Sequence, residues 1–147
     1  DFLPELAYQL AHWEWMELYA DVYQNSREQT VVSEVNFDKD AISIIESAWC
    51  QAYDYPVHQI SAENPCQAAT SYLMVYRNQQ LTVAFLELNP LSVVLFQRLQ
   101  ENKYLTCDAI LQDIANQKNM DVNQVVSGGR QILQQWCELG LLTRLVQ

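Results

Sequence analysis

The sequence predicts an α+β fold with a helix first, a small antiparallel sheet containing a β-hairpin in the middle, and a helical region at the end. Three observations predict it: apolar residues at helical spacing near the start, short runs of β-branched and aromatic residues in the middle, and three capped helical patterns thereafter. The chain has 147 residues, half of them hydrophobic, which is enough to bury a core. Three glycines argue against a turn-rich β-sandwich and against glycine-rich nucleotide loops.

The opening segment is predicted to be a helix. Its apolar residues recur every three or four positions, and these are Leu3, Leu6, Ala7, Leu10 and Trp13. Glu14, Glu17 and Asp21 follow the same spacing and are predicted to form a solvated acidic face. Paired carboxylates bind metals in helical bundles together with a Glu-x-x-His histidine, which this sequence lacks, so we expect no metal there.

The middle of the chain is predicted to be β-rich. Residues 31–35, 42–49 and 53–60 are three candidate strands, and residues 61–67, with Asn64-Pro65, are a predicted loop. Residues 71–77 and 81–88 flank a short polar break and predict a hairpin. Tyr72, Met74 and Tyr76 share one face of its first strand and Leu73 and Val75 the other, so we expect cover on both faces, either from this chain or from a partner.

Three helices and a strand are predicted to follow. Asn89 with Pro90, Thr106 and Asp121 are the expected caps, and Gly140 is expected to end the last helix before a strand over 141–146. The predicted buried residues are Leu91, Val94, Leu95 and Leu99 in the first helix and Ile110, Leu111 and Ile114 in the second. In the third helix the residues that follow the helical period are Val122, Val125, Val126, Gly129, Ile132, Leu133, Trp136 and Leu139. Gly128-Gly129 predicts a close helix crossing.

This order of helices and strand is the layout of a winged helix-turn-helix, a fold that binds DNA when its third helix is basic. Here residues 121–139 hold one basic and two acidic residues, and the exposed positions are predicted to be Asn123, Gln124, Gln131, Gln134 and Gln135. Glutamine can read adenine, but the electrostatic anchor is missing. We divide the chain into residues 1–89, a helix with an antiparallel sheet, and residues 90–147, the winged-helix-like part, within one compact unit.

Charge is concentrated in the first part. The whole net charge of −10 lies before Pro90, where three basic residues face thirteen acidic ones. Such a field repels nucleic acid and attracts a basic peptide or a positively charged protein surface, although it also simply keeps a domain soluble.

Enzyme and metal signatures are absent from the sequence. It has no G-x-S-x-G, H-E-x-x-H or P-loop, and only His12 and His58 as candidate histidine bases. Cys50, Cys66, Cys107 and Cys137 are too widely spaced for a zinc site and are predicted to be plain buried thiols. We therefore expect no catalysis, no metal and no cofactor. Without an apolar spanning segment or signal sequence, we expect a cytoplasmic protein and, since it begins at Asp1, part of a longer one.

Three ordered motifs resemble the C-terminal domain of the HvfC-like proteins, once labelled DNA-binding, and more distantly MbnC. These motifs are Leu3-Pro4-Glu5-Leu6-Ala7 leading to Trp13-Glu14-Trp15; Tyr55-Pro56-Val57-His58-Gln59-Ile60; and Val75-Tyr76-Arg77-Asn78 followed by Glu87-Leu88-Asn89-Pro90-Leu91-Ser92. The resemblance implies a non-catalytic partner that forms a complex with a multinuclear iron oxidative enzyme and holds the leader of a ribosomally made precursor peptide.

On this basis we expect the leader to pair with a sheet edge, either residues 53–60 or residues 71–77. The expected contact residues are Tyr55, Val57, His58, Tyr72, Tyr76 and Arg77, although each tyrosine and His58 also fits an ordinary structural role. Two alternatives stay open at this point. One is a DNA-binding transcriptional regulator that uses the last helix, and the other is a scaffold that docks the enzyme without touching the peptide.

Overall fold

A computed structural model describes residues 2–25, 30–54, 57–59 and 70–145, the side chains of residues 2–4 and 59 excepted, and confirms the predicted α+β class. Its elements, in chain order, are α1 (Phe2–Val22), β1 (Ile42–Ile44), β2 (Ala48–Tyr53), a short 3-10 helix (Val57–Gln59), β3 (Ser71–Arg77), β4 (Val83–Leu88), α2 (Pro90–Glu101), α3 (Cys107–Gln117), α4 (Val122–Glu138) and β5 (Leu142–Arg144). None of these described helices has the length and apolar character needed to cross a bilayer.

The chain forms two compact units. The sheet unit comprises Asp1–Gln24 and Ser47–Leu88, and the helical unit comprises Asn25–Glu46 and Asn89–Gln147. The last of these boundaries falls between Leu88 and Asn89, one residue before the division drawn from the sequence. Residues 25–46, which that division assigned to the first part, pack with the helical unit because β1 pairs with the distant β5.

The sheet unit is a three-stranded antiparallel sheet in the order β2-β3-β4. The predicted hairpin is confirmed: Asn78 donates its backbone N–H to the carbonyl of Thr82 at 2.9 Å, and its side-chain oxygen accepts from the N–H groups of Gln80 and Thr82 at 3.0 Å each. Trp13, Met16 and Ala20 of α1 pack in one core with Leu73 and Val75 of β3. Met74 and Tyr76, on the opposite face of β3, are also buried, as the pattern predicted.

The three other candidate strands in the middle need correction. Residues 31–35 form no strand, only an isolated bridge between Val31 and Thr143. Residues 42–49 are split between β1 and the start of β2. Residues 53–60 are not a strand where they are described, because β2 ends at Tyr53 and Val57–Gln59 is a 3-10 helix that places Val57 in the core. The predicted loop at 61–67 lies outside the described residues.

The helical unit has the predicted caps. The side chains of Asn89, Thr106 and Asp121 accept hydrogen bonds from the N–H groups of Ser92, Ala109 and Gln124 at 2.8, 3.3 and 3.1 Å. The inward residues of α3 are buried as predicted. In α2, Leu95 and Leu99 are buried as predicted, but Ser92 and Phe96 are buried with them, while Leu91 and Val94 are only half-buried. In α4, Val125, Gly129, Leu133 and Trp136 are buried, but Val122 is exposed.

The strand predicted after α4 is present as β5, and Gly140 precedes it with a positive φ of 76°. Its antiparallel partner is β1, which precedes α2 in the chain. A winged helix would carry a hairpin after its third helix; among the residues described through 145, β5 is the only strand after α4. The three-helix layout therefore holds, and the wing is not part of what the structure describes.

Candidate functional site

The two strands expected to offer a sheet edge do not do so. β3 lies in the centre of its sheet and pairs with β2 on one side and β4 on the other, so its backbone hydrogen-bonding groups are used. The 53–60 segment is not a strand in its described part. β3 is therefore not an edge, and of the described part of 53–60 only Tyr53 belongs to a strand, as the last residue of β2. The edges of the described sheet are β2 and β4.

The register shows which backbone groups of each edge strand point outward. In an antiparallel pair, opposed residues alternate between those that exchange hydrogen bonds and those that direct their N–H and C=O groups away from the partner. Asn78 bonds to Thr82, so Val83, Phe85 and Glu87 direct their backbone groups away from β3. By the same reasoning from the bond between Arg77 and Ser47, the outward residues of β2 are Ala48, Cys50 and Ala52.

The outer edge of β4 is the more accessible of the two. The outward groups of Val83, Phe85 and Glu87 make no backbone hydrogen bond to any described residue. The side chain of Phe85 is 45% exposed and Glu87 is also exposed, whereas Ala48 on β2 is buried. We call the outward side of Val83–Leu88 the β4 edge. Its donors and acceptors are unpaired among the described residues, and such a row is of the kind that accepts an added strand.

Aromatic packing fixes the side chain at the middle of this edge. The Phe85 ring meets the Trp13 ring edge-to-face, with centroids 5.3 Å apart, and the His58 ring at 5.9 Å. His58 is nearly buried, and its Nε2 lies 3.5 Å from the carboxylate of Glu87. Neither of its ring nitrogens makes a hydrogen bond to a described residue. One side of Phe85 is therefore held by the sheet unit, and the other is presented to solvent.

The residues expected to contact a peptide fall into two groups. Val57 and His58 lie in the 3-10 helix, where Val57 is buried in the core and His58 lies beside the β4 edge. Tyr72, Tyr76 and Arg77 lie on the central strand, and Tyr76 is only 4% exposed. Tyr55 lies outside the described residues.

Arg77 has a structural role in the sheet unit. Its guanidinium donates to the backbone carbonyls of Ala20, Asp21 and Tyr23 at 3.5, 3.3 and 2.5 Å. Those carbonyls end α1 or follow it directly, where a helix has unpaired acceptors and a partial negative charge. Arg77 thus joins the end of α1 to the sheet.

Sequence reasoning missed Phe85 and Glu87, although a signal for them was present. The second strand of a predicted hairpin is an edge unless a further strand follows, and the chain after residue 88 reads as helix. The alternation of Val83, Phe85 and Glu87 would then have identified one face of that edge strand.

Charge around the site favours a basic ligand. The sequence of the sheet unit contains eight acidic residues and one basic residue, Arg77, whose guanidinium is already held by carbonyls. Burial, and next the carboxylate of Glu14, raises the pKa of Glu17. Only the second of these causes, repulsion by the neighbouring carboxylate, reflects the surplus of negative charge.

In the described part of the chain no metal-binding cluster is found, and α4 carries a single basic side chain. No cluster of three or more histidine, cysteine or acidic side chains there could hold a metal ion. The polar residues of α4 are exposed as predicted, but its one basic side chain, Arg130, pairs with Asp108 through contacts of 2.5 and 3.0 Å. Cys107 and Cys137 are buried thiols, and burial raises the pKa of both.

Comparisons with known proteins address the family directly. No curated protein matches the sequence. The family model described as "HvfC C-terminal domain" matches residues 46–137, more than half of the chain, including the sheet, the β4 edge and the three helices that follow. On that match the chain belongs to the HvfC C-terminal domain family.

Proposed function

We propose that this chain is a non-catalytic partner of a multinuclear iron oxidative enzyme and holds the enzyme's precursor peptide as an added strand along the β4 edge. The observation that carries the proposal is the row of outward backbone groups at Val83, Phe85 and Glu87, centred on a half-exposed phenylalanine. Membership of the HvfC C-terminal domain family supports a partner role.

The chemistry of the β4 edge suits a peptide without a fixed structure. Backbone pairing supplies affinity that does not depend on sequence, and side chains at alternate positions supply selectivity. On one face of an added strand, an apolar peptide residue would lie beside Phe85 and Trp13. A lysine or arginine of the leader would lie near Glu87 and the other carboxylates of the sheet unit.

Proline substitutions separate edge pairing from general stability. The N–H of Val83 points away from β3, so Val83→Pro removes a donor for the guest strand without removing a bond of the sheet. Ala52→Pro makes the same change on the β2 edge and is the matched control. The sequence around the gene is first searched for an iron-enzyme gene and a short cysteine-rich reading frame. The leader segment of the peptide so found is the ligand, titrated by calorimetry in the presence and absence of the iron enzyme.

We expect Val83→Pro and Phe85→Ala each to weaken leader binding by about tenfold or more, which corresponds to about 1.4 kcal/mol. Ala52→Pro should bind like the unchanged protein, and circular dichroism should show all three variants folded. Equal loss in Val83→Pro and Ala52→Pro, or undiminished binding by a folded Val83→Pro, would contradict the proposal. Retained binding of the enzyme without any leader binding would identify a docking scaffold instead.

The alternative of DNA binding through α4 rests on exposed Gln and Asn side chains alone, since Arg130 is paired with Asp108. A DNA-binding protein loses duplex affinity steeply as salt rises. We expect no measurable duplex binding even at low salt.

A further inference from the structure

α1 has a second apolar face that nothing in the described structure covers. One face carries Trp13, Met16 and Ala20 into the core. On the opposite side, residues that are all exposed recur at alternating spacings of three and four, and these are Tyr8, Ala11, Trp15, Leu18 and Val22, which we call the outer stripe. The exposed fractions of its four large members are 69% for Tyr8, 54% for Trp15, 60% for Leu18 and 63% for Val22.

This arrangement differs from an ordinary surface helix. A helix that packs by one side on a sheet normally carries polar residues on the other. Alternating three- and four-residue spacing is the pattern by which one helix packs along another, with side chains of each fitting between those of its partner. A contiguous exposed apolar patch of this kind marks an interaction surface.

Trp15, the tryptophan of the outer stripe, is held by neighbouring aromatic rings of the sheet unit. Trp15 stacks on Tyr19, with ring centroids 5.2 Å apart and an interplanar angle of 25°. Tyr19 in turn meets Trp49 of β2 edge-to-face at 5.2 Å. Trp15 is thus held in place before any partner arrives, which lowers the entropy lost on binding, and tryptophan is a frequent anchor of protein interfaces.

The acidic residues beside the outer stripe indicate which kind of partner would bind there. Glu14 and Asp21 are exposed and lie one residue before Trp15 and Val22, along one side of the stripe. Lys and Arg are absent from α1 altogether, and the sheet unit contributes only the engaged Arg77. A second copy would bring together two strongly acidic units. Helices that lie on membranes carry Lys and Arg beside their apolar face, the reverse of what is found here.

We propose that the outer stripe docks an amphipathic helix of a partner protein whose apolar seam is flanked by Lys or Arg. Leucine-like side chains of that helix pack between Trp15, Leu18 and Val22, and its cations lie against Glu14 and Asp21. This surface belongs to α1, and the proposal does not depend on strand addition at the β4 edge.

The test uses the whole chain and two synthetic helical peptides with the same leucine seam, one flanked by lysine and the other by glutamate. Binding is measured by calorimetry at two salt concentrations, and Leu18→Glu is the variant. Met120→Glu, which places the same charge at another exposed apolar position, is the matched control. Analytical sedimentation tests whether a second copy occupies the stripe. Flotation with anionic phospholipid vesicles tests whether a membrane does.

We expect the lysine peptide to bind at least about tenfold more tightly than the glutamate peptide. Leu18→Glu should remove about tenfold in affinity, while Met120→Glu should remove none. Raised salt should weaken the lysine peptide more than the glutamate one. Absence of binding, equal binding of the two peptides, equal losses in the two variants, a dimer abolished by Leu18→Glu, or vesicle binding through the stripe would each overturn the proposal.

Discussion

The crossing of α3 and α4 at Gly129 allows a prediction worked from distances. A Cβ atom built on Gly129 would lie 2.8 Å from Cδ1 and 3.0 Å from Cγ of Leu111, and still closer to Cδ2 of the same side chain. Leu111 is fully buried and cannot swing outward. At Gly128, one residue earlier, the nearest atom is Cδ2 of Leu91 at 3.7 Å, an ordinary contact.

Substitution by alanine should therefore change the stability of the protein in opposite directions at the two glycines. Gly128→Ala should stabilise the protein by up to about 1 kcal/mol, because alanine loses less backbone entropy than glycine in a helix. Gly129→Ala gains the same backbone-entropy advantage, but the new methyl group must displace the packed Leu111 side chain, which costs about 1–3 kcal/mol. With the full gain, the net expectation is destabilisation by up to about 2 kcal/mol, which for a chain of this length lowers the melting temperature by up to about 6 °C.

Urea unfolding followed by circular dichroism measures both variants, and Leu111→Ala completes a double-mutant cycle. If the overlap is the cause, Gly129→Ala should be much less harmful in the Leu111→Ala background, because the space it needs is then free. A Gly129→Ala protein as stable as Gly128→Ala, or fully additive effects in the cycle, would refute the close crossing.

Three further predictions concern titration and the end of α1. Burial, followed by the charges of Asp108 and Asp40, raises the pKa of Cys107 to about 12. Iodoacetamide at pH 8 should therefore alkylate this thiol at least about a hundredfold more slowly in the native protein than in urea. Equal alkylation rates would contradict this. Burial, and next Glu17, raises the pKa of Tyr53 from about 10 to about 12. The stabilisation from its protonated hydroxyl should be intact below pH about 10 and fall away as pH rises through about 12, and Tyr53→Phe should flatten the decline of unfolding free energy in that window; an unchanged slope would count against it. Arg77→Ala should lower the unfolding free energy by about 1–3 kcal/mol, because three carbonyls at the end of α1 lose their donor. Arg98→Ala, which breaks a single pair with Asp113, should lower it by at most about 1 kcal/mol. Equal losses in the two variants would argue against the role of Arg77 in joining α1 to the sheet.

Local signals in the sequence predicted local structure well. Asn89, Thr106 and Asp121 cap their helices because capping depends on a side chain and a backbone N–H a few residues away. The hairpin turn at Asn78 is fixed in the same way by contacts within five residues. Gly129 was identified because a glycine inside a strong helical pattern needs a packing reason.

Long-range pairing could not be predicted in this way. β1 pairs with β5 across about a hundred residues of chain, and no local pattern encodes that partner. Hydrophobic alternation predicts that a segment is a strand but not its position in the sheet, so the sequence could not show that β3 is the central strand. The outer stripe could have been predicted, since the spacing from Tyr8 to Val22 is visible in the sequence. The spacing of Leu3, Leu6 and Leu10 predicts only the other face of α1.

Amide hydrogen exchange at β4 tests the central claim most directly. In the free protein, the N–H groups of Val83, Phe85 and Glu87 should exchange rapidly, while those of Ala84 and Leu86, which face β3, should be protected. Addition of the leader peptide should slow exchange at the first three and leave the other two unchanged. Protection of Val83, Phe85 and Glu87 already in the free protein, or their continued rapid exchange when the peptide is bound, would contradict the account.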